Sequence, residues 1–119
     1  MPFIGKIMRR VTTFDHQVTT FDATEELILL GQDHAFVKKN EQVIGIVCLD
    51  SLLEEYKSGD ISDTHVAEYL EPLFFVNEYE DRSLARSLMK ENNVEHIAVT
   101  NQDGIFLGIA SAKEFKEEP

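Results

Sequence analysis

The chain has 119 residues, 43% of them hydrophobic, and its 22 acidic and 11 basic side chains give a formal net charge of −11. This length suits one compact unit with a real core. The acidic surplus argues against binding to nucleic acid or to an anionic membrane, because phosphate contacts require clustered Lys and Arg. The single cysteine, Cys48, excludes an internal disulfide. No apolar run reaches the roughly 20 residues of a membrane helix, so we expect a small cytoplasmic protein.

The first half of the sequence predicts a strand followed by a β-hairpin between two helices. Polar turn residues at 39–42 separate two short apolar runs, which is typical of a hairpin. Gly31 is expected to end the first helix. The predicted elements are a strand over 18–21, a helix over 24–30, strands over 35–37 and 43–47, and a helix over 51–57.

The second half repeats this order, with a strand over 74–76, a helix over 83–92, strands over 97–99 and 105–110, and a short helix over 112–116. Gly45 and Gly108, one in each hairpin, are 63 residues apart, whereas the helix starts at 24 and 83 are 59 apart. The difference predicts that the first leading helix is about one turn shorter. An internal repeat of this kind indicates a duplicated unit. The predicted core residues are Val18, Phe21, Leu27, Val37, Ile44, Ile46, Val76, Leu84, Leu88, Val99, Leu107 and Ile109.

Each half resembles the CBS (cystathionine-β-synthase-type) domain, and the whole chain resembles a tandem CBS pair, or Bateman module. The second half carries the family pattern of a glycine, a hydroxyl residue and an acidic residue at Gly108, Ser111 and Glu114. The first half has Cys48 and Ser51 at the last two of these positions. The resemblance implies a mixed α+β fold of two β-α-β-β-α repeats, 1–60 and 61–119, packed through their sheets about a pseudo-twofold axis.

The resemblance also implies a regulatory function. CBS pairs bind adenosine-containing ligands in clefts between the repeats and signal occupancy to a partner or an attached domain, such as an enzyme, a transporter or a transcription factor. In the family the hydroxyl and acidic residues hold the ribose hydroxyls, and these positions fall on Ser111 and Glu114. The alternative is that Ser111 begins a helix and Glu114 completes its capping box. With Cys48 and Ser51, the first repeat has lost its ribose clamp.

Further ligand contacts are expected in the second repeat. Val76, Ile97 and Ala98 are expected to lie against the adenine, and His96 is the candidate for a phosphate or carboxylate group. Because so few cations are evident near these positions on this acidic chain, we expect AMP or an S-adenosylmethionine-like effector rather than ATP. Affinity is expected to fall as phosphates are added, with an adenosine-like ligand or S-adenosylmethionine first, AMP next and ATP last. Arg82 and Arg86 form a possible phosphate-binding pair, but exposed ion pairs with neighbouring acids are the simpler interpretation.

Neither catalysis nor a metal site is expected. The four histidines are scattered, and His65 with Glu68 provides only two ligands from one turn. Spare apolar residues predict a homodimer through helices; they are Leu52, Leu53, Tyr56, Tyr69, Leu70 and Phe115. A degenerate CBS pair that only dimerises or docks a protein, with no nucleotide bound, is the alternative function.

Overall fold

In a computed structural model, which describes residues 3–58 and 64–117 and the side chains of 3–54 and 64–114, the chain forms two compact units. One unit is Val11–Leu73, and the other joins Met1–Arg10 to Phe74–Pro119. Each contains a three-stranded sheet with helices, which confirms the mixed α+β fold. These units differ in their bounds from the predicted sequence repeats, because the N-terminal segment packs with the second half.

The Val11–Leu73 unit places its middle strand between one parallel and one antiparallel neighbour. Its elements are β1 (Thr13–Asp15), α1 (Thr20–Leu30), β2 (His34–Lys39), β3 (Gln42–Cys48), α2 (Leu49–Ser58) and a 3-10 helix (Val66–Tyr69). Leu27 of α1 and Leu52 of α2 are fully buried in one apolar cluster with Val37 and Val47 of the sheet. The hairpin and both helices therefore share a single core.

The second unit has the same arrangement of strands. Its elements are a 3-10 helix (Ile4–Lys6), β4 (Phe75–Asn77), α3 (Arg82–Glu91), β5 (His96–Thr100), β6 (Phe106–Ser111) and a 3-10 helix (Ala112–Glu117). Ala85 and Met89 of α3 pack on Ile97 and Val99 of β5, and Ile4 from the N-terminal segment completes the cluster. No helix in the described part of the chain is long and apolar enough to cross a membrane.

The prediction of a shorter first leading helix is wrong. Helix α1 has 11 residues and α3 has 10. The Thr19 side chain accepts a hydrogen bond from the Asp22 N–H at 3.1 Å and so begins α1 at Thr20. Because Thr19 caps α1, residues 18–21 do not form the strand predicted there. The strand that precedes α1 is β1, at Thr13–Asp15. The cap of α3 is Asp81, and hydrogen bonds from Ser83 lower the pKa of its carboxyl below the ordinary value.

Two predicted core residues are exposed, Ile44 by 37% and Leu84 by 44%. The pairing of β2 with β3 skips Ile44, because Val37 pairs with Gly45 and the next residue, Lys38, pairs with Val43. A residue inserted in this way forms a β-bulge and leaves the pairing of the ladder. Six predicted residues are buried, namely Leu27, Val37, Ile46, Val76, Val99 and Ile109. Val18, Phe21, Leu88 and Leu107 are half-buried.

The hairpin glycines lie where another segment crosses closely. A Cβ at Gly108 would strike the carbonyl oxygen of Arg9, whereas a Cβ at Gly45 would first meet the Leu70 Cδ2 atom at 3.0 Å. A side-chain end can move aside more easily than a hydrogen-bonded main chain. We therefore expect Gly108→Ala to lower the free energy of unfolding by about 1–3 kcal/mol and Gly45→Ala to lower it by less. Urea denaturation of both variants measures this, and equal losses would contradict it.

Candidate functional site

The N-terminal segment is attached to the second unit by main-chain hydrogen bonds. The Arg9 N–H donates to the Ile109 carbonyl at 2.8 Å, and the Ile109 N–H donates back to Arg9 at 2.9 Å. Earlier in the segment, the Ile4 N–H donates to the Glu80 carbonyl at 2.9 Å. The Arg82 side chain adds a hydrogen bond from its Nε to the Phe3 carbonyl at 3.1 Å, a contact that the sequence did not suggest. These bonds fix the backbone of Arg9 beside β6.

Ser111 and Glu114 are brought together where β6 ends and the last 3-10 helix begins. One carboxylate oxygen of Glu114, Oε1, accepts hydrogen bonds from the Ser111 N–H at 2.9 Å and from its Oγ at 2.8 Å. The other oxygen, Oε2, lies 3.2 Å from the Arg9 Nε. The Glu114 side chain is only 13% exposed, whereas that of Arg9 is 63% exposed. The glutamate therefore completes its half of the predicted capping box and also accepts from a cation.

A cavity of about 470 Å³ adjoins this carboxylate. It is lined by Lys6, Ile7, Met8, Arg9, Lys113 and Glu114. Its volume falls in the range of about 300–1,000 Å³ typical of small-molecule sites. Three cations and one carboxylate give the lining a positive charge, on a chain whose net charge is −11. The expectation that few cations are available to bind a phosphate does not hold at this cavity.

The other predicted site residues do not line this cavity. His96 is 5% exposed and sits directly opposite Ser111 in the β5–β6 register, so the structure brings these two together. Val76 and Ile97 are buried in the core of the unit, and Ala98 is fully buried on β5. Lys6 and Arg9, which sequence reasoning missed, take the exposed positions. Their only sequence signal is the basic cluster at positions 6, 9 and 10.

His65 and Glu68, the two metal-ligand candidates from the sequence, lie together at the start of a 3-10 helix. Glu68 Oε2 accepts a hydrogen bond from the His65 N–H at 2.9 Å, so this carboxylate caps the 3-10 helix that follows. Among the residues that the structure describes, no three His, Cys, Asp or Glu side chains are grouped to hold an ion.

The family of the second half is decided by its sequence. Residues 62–118 match the model of the CBS domain family. This part of the chain is a CBS domain. No curated protein matches the chain.

Solved structures extend the fold to nearly the whole chain, each covering 98% of it. The chain is similar to the CBS domain of a bacterial CNNM/CorC family Mg2+ transporter in complex with ATP, with 18% identity, a TM-score of 0.83 and 85% of that chain covered. It is similar to a CBS domain protein from Pyrobaculum aerophilum complexed with AMP, at 16%, 0.83 and 92%. A CBS domain pair in complex with 5′-methylthioadenosine and S-adenosyl-L-methionine matches at 13%, 0.80 and 94%. The tandem CBS fold predicted from the repeat is confirmed.

The first repeat builds the corresponding position with different charges. The Glu71 N–H donates to the Ile46 carbonyl at 2.7 Å, as Arg9 does to Ile109, so Glu71 stands where the second unit has Arg9. Cys48 and Ser51 stand where it has Ser111 and Glu114. This position therefore carries an acidic side chain on the crossing segment instead of an arginine.

Cys48 is a half-buried thiol at this position. Burial raises the pKa of the Cys48 thiol above its ordinary value, and the negative charge of Glu71 raises it further, against an opposing hydrogen bond from the Asp50 backbone. The thiolate therefore forms at higher pH in the folded CBS pair than in the unfolded chain. A thiol with a raised pKa is less reactive at neutral pH, which favours a structural role for Cys48.

We expect the iodoacetamide reaction of Cys48 to rise with pH along a curve whose midpoint lies higher for the native protein than for the protein unfolded in urea. The unfolded sample is the matched control because its thiol is fully hydrated. Slow access to a half-buried thiol changes the height of the curve and not its midpoint. A native midpoint equal to or below the unfolded one would contradict the assigned burial effect.

Proposed function

We propose that this CBS pair is a regulatory module that binds an adenosyl-containing ligand, AMP or S-adenosylmethionine-like, and signals its occupancy to a partner or attached domain. The observation that carries the proposal is the Glu114 carboxylate, oriented by two hydrogen bonds from Ser111 at the edge of a cavity of about 470 Å³. A carboxylate in this setting accepts from the two neighbouring hydroxyls of a ribose through charge-assisted hydrogen bonds. The AMP, ATP and S-adenosyl-L-methionine complexes of structurally similar CBS proteins support the ligand class.

The remaining contacts follow from the lining of the cavity. Ile7 and Met8 provide apolar surface for the adenine, in place of Val76 and Ile97, which lie in the core. Lys6, Arg9 and Lys113 surround the space that a phosphate or carboxylate group of the ligand would enter. His96, buried opposite Ser111, supports the end of β6 and is too deep to act as the main anion contact. The chemistry assembled here suits recognition of a polar ligand.

The test is Glu114→Gln, which keeps the shape of the side chain and removes its charge. We expect isothermal titration with AMP to show binding weakened by tenfold or more, because a hydrogen bond to a charged group contributes roughly 1.5–3 kcal/mol. Ser51→Ala, at the matching position of the first repeat, is the control and should leave AMP affinity unchanged. Absence of AMP and S-adenosylmethionine binding to the native protein, or equal losses in the two variants, would reject this site.

A second candidate function, association through an apolar helix surface, is favoured by the end of α1. Ile28, Leu29 and Leu30 are 58%, 82% and 47% exposed there. Three adjacent apolar residues in water indicate a surface that another protein covers. The residues predicted for a homodimer are placed differently: Leu52 is fully buried, while Leu53, Tyr69 and Leu70 are half-buried. The side chains of Tyr56 and Phe115 lie outside the described residues.

A homodimer formed through this surface predicts a dimer mass at micromolar concentration by light scattering. Leu29→Lys should reduce that mass to the monomer, because it places a charge in the contact, and should leave the thermal midpoint of unfolding nearly unchanged. Glu26→Lys, on an exposed position of the same helix, is the control for altered charge. A native monomer, or a dimer that Leu29→Lys leaves intact, would argue against association through α1.

A further inference from the structure

We propose that Arg9 makes this site selective for phosphate-bearing adenosyl ligands, because it occupies the same carboxylate that the ribose must use. The inference rests on the proposed function and adds the ligand class. Glu114 accepts two hydrogen bonds from Ser111 and one from Arg9. A carboxylate accommodates about four hydrogen bonds in all. Two ribose hydroxyls therefore displace at least one of the present donors, and Arg9 is the exposed one.

The Arg9 side chain can move away from Glu114 without disturbing the fold. Its backbone is held by the two hydrogen bonds with Ile109, while its side chain is 63% exposed and contacts Glu114 through a single bond of 3.2 Å. Ser111, in contrast, binds Glu114 partly through its backbone N–H, which cannot rotate away. The guanidinium is thus the donor that moves when a ribose arrives.

The cost of moving Arg9 depends on what the ligand offers it. A guanidinium presents a planar set of donors that matches a phosphate group with two parallel hydrogen bonds. The cavity places Lys6 and Lys113 around the same space, so a phosphate meets three cations while the ribose takes the carboxylate. Adenosine has no anionic group, so it would break the Arg9–Glu114 contact without replacing it. The site should therefore favour AMP and ATP over adenosine, the reverse of the order expected from the acidic composition.

The first repeat carries no such exchange. Glu71 stands at the position of Arg9, and Ser51 stands at that of Glu114, so no cation is released toward a phosphate there. The cavity described above lies in the second unit and includes Arg9 itself. Phosphate selectivity is thus assigned to the second repeat and to the Arg9 side chain.

The experiment is isothermal titration of the native protein and of Arg9→Ala with adenosine, AMP and ATP. Arg10→Ala is the matched control, because it removes the same charge from the neighbouring residue, which does not line the cavity. We expect Arg9→Ala to bind AMP about tenfold or more weakly. We expect it to bind adenosine as well as the native protein does or up to about fivefold more tightly, since an exposed ion pair contributes at most about that factor.

The deciding quantity is the ratio of AMP affinity to adenosine affinity. A fall of tenfold or more in Arg9→Ala, with a smaller change in Arg10→Ala, supports the proposal. A smaller fall, or equal falls in the two variants, overturns it while leaving the proposed function in place if Glu114→Gln still weakens AMP. If the native protein binds none of the three ligands, nor S-adenosylmethionine, both the proposed function and this inference fail.

Discussion

The site of the second unit depends on the two main-chain hydrogen bonds that join Arg9 to Ile109. They hold Arg9 beside β6, where its side chain reaches Glu114, a residue 105 positions further along the chain. The close approach requires that position 108 have no Cβ, which explains its glycine. The cavity depends on the same backbone contact, since the segment Lys6–Arg9 forms much of its lining. One backbone contact thus determines both the charge and the shape of the site.

The same backbone contact recurs in the first unit, where Glu71 pairs with Ile46 beside Gly45. The repeat therefore includes the segments that precede β1 and β4, as well as the strands and helices predicted from the sequence. At equivalent backbone positions the side chains have opposite charges, arginine in one unit and glutamate in the other. The main-chain pairing and the ligand chemistry are accordingly specified by different residues, and one can change without the other.

Much of the fold could be predicted because its signals are local. The hairpins follow from polar turns between apolar runs, and Gly31 ends α1 with a φ of 66°, a left-handed conformation. The start of α1 was misjudged because Val18–Phe21 has strand-like side chains, while the Thr19 cap that overrides them is a single hydrogen bond. Ile44 was misjudged because a bulge interrupts the alternation. Arg9 was missed because its pairing is made by backbone groups, which leave no side-chain pattern in the sequence.

The hydrogen bonding of Glu114 sets how a ligand can gain affinity here. Its carboxylate is already held by Ser111 and Arg9 at a side-chain exposure of only 13%. Such a group is oriented in advance, so little side-chain freedom is lost when a ligand binds. The ribose brings two hydrogen bonds but displaces the one from Arg9, so part of the free energy that it gains is offset by the bond that is lost. Discrimination must then come from the donor that is displaced, and the part of the ligand that satisfies Arg9 decides which adenosyl compound binds.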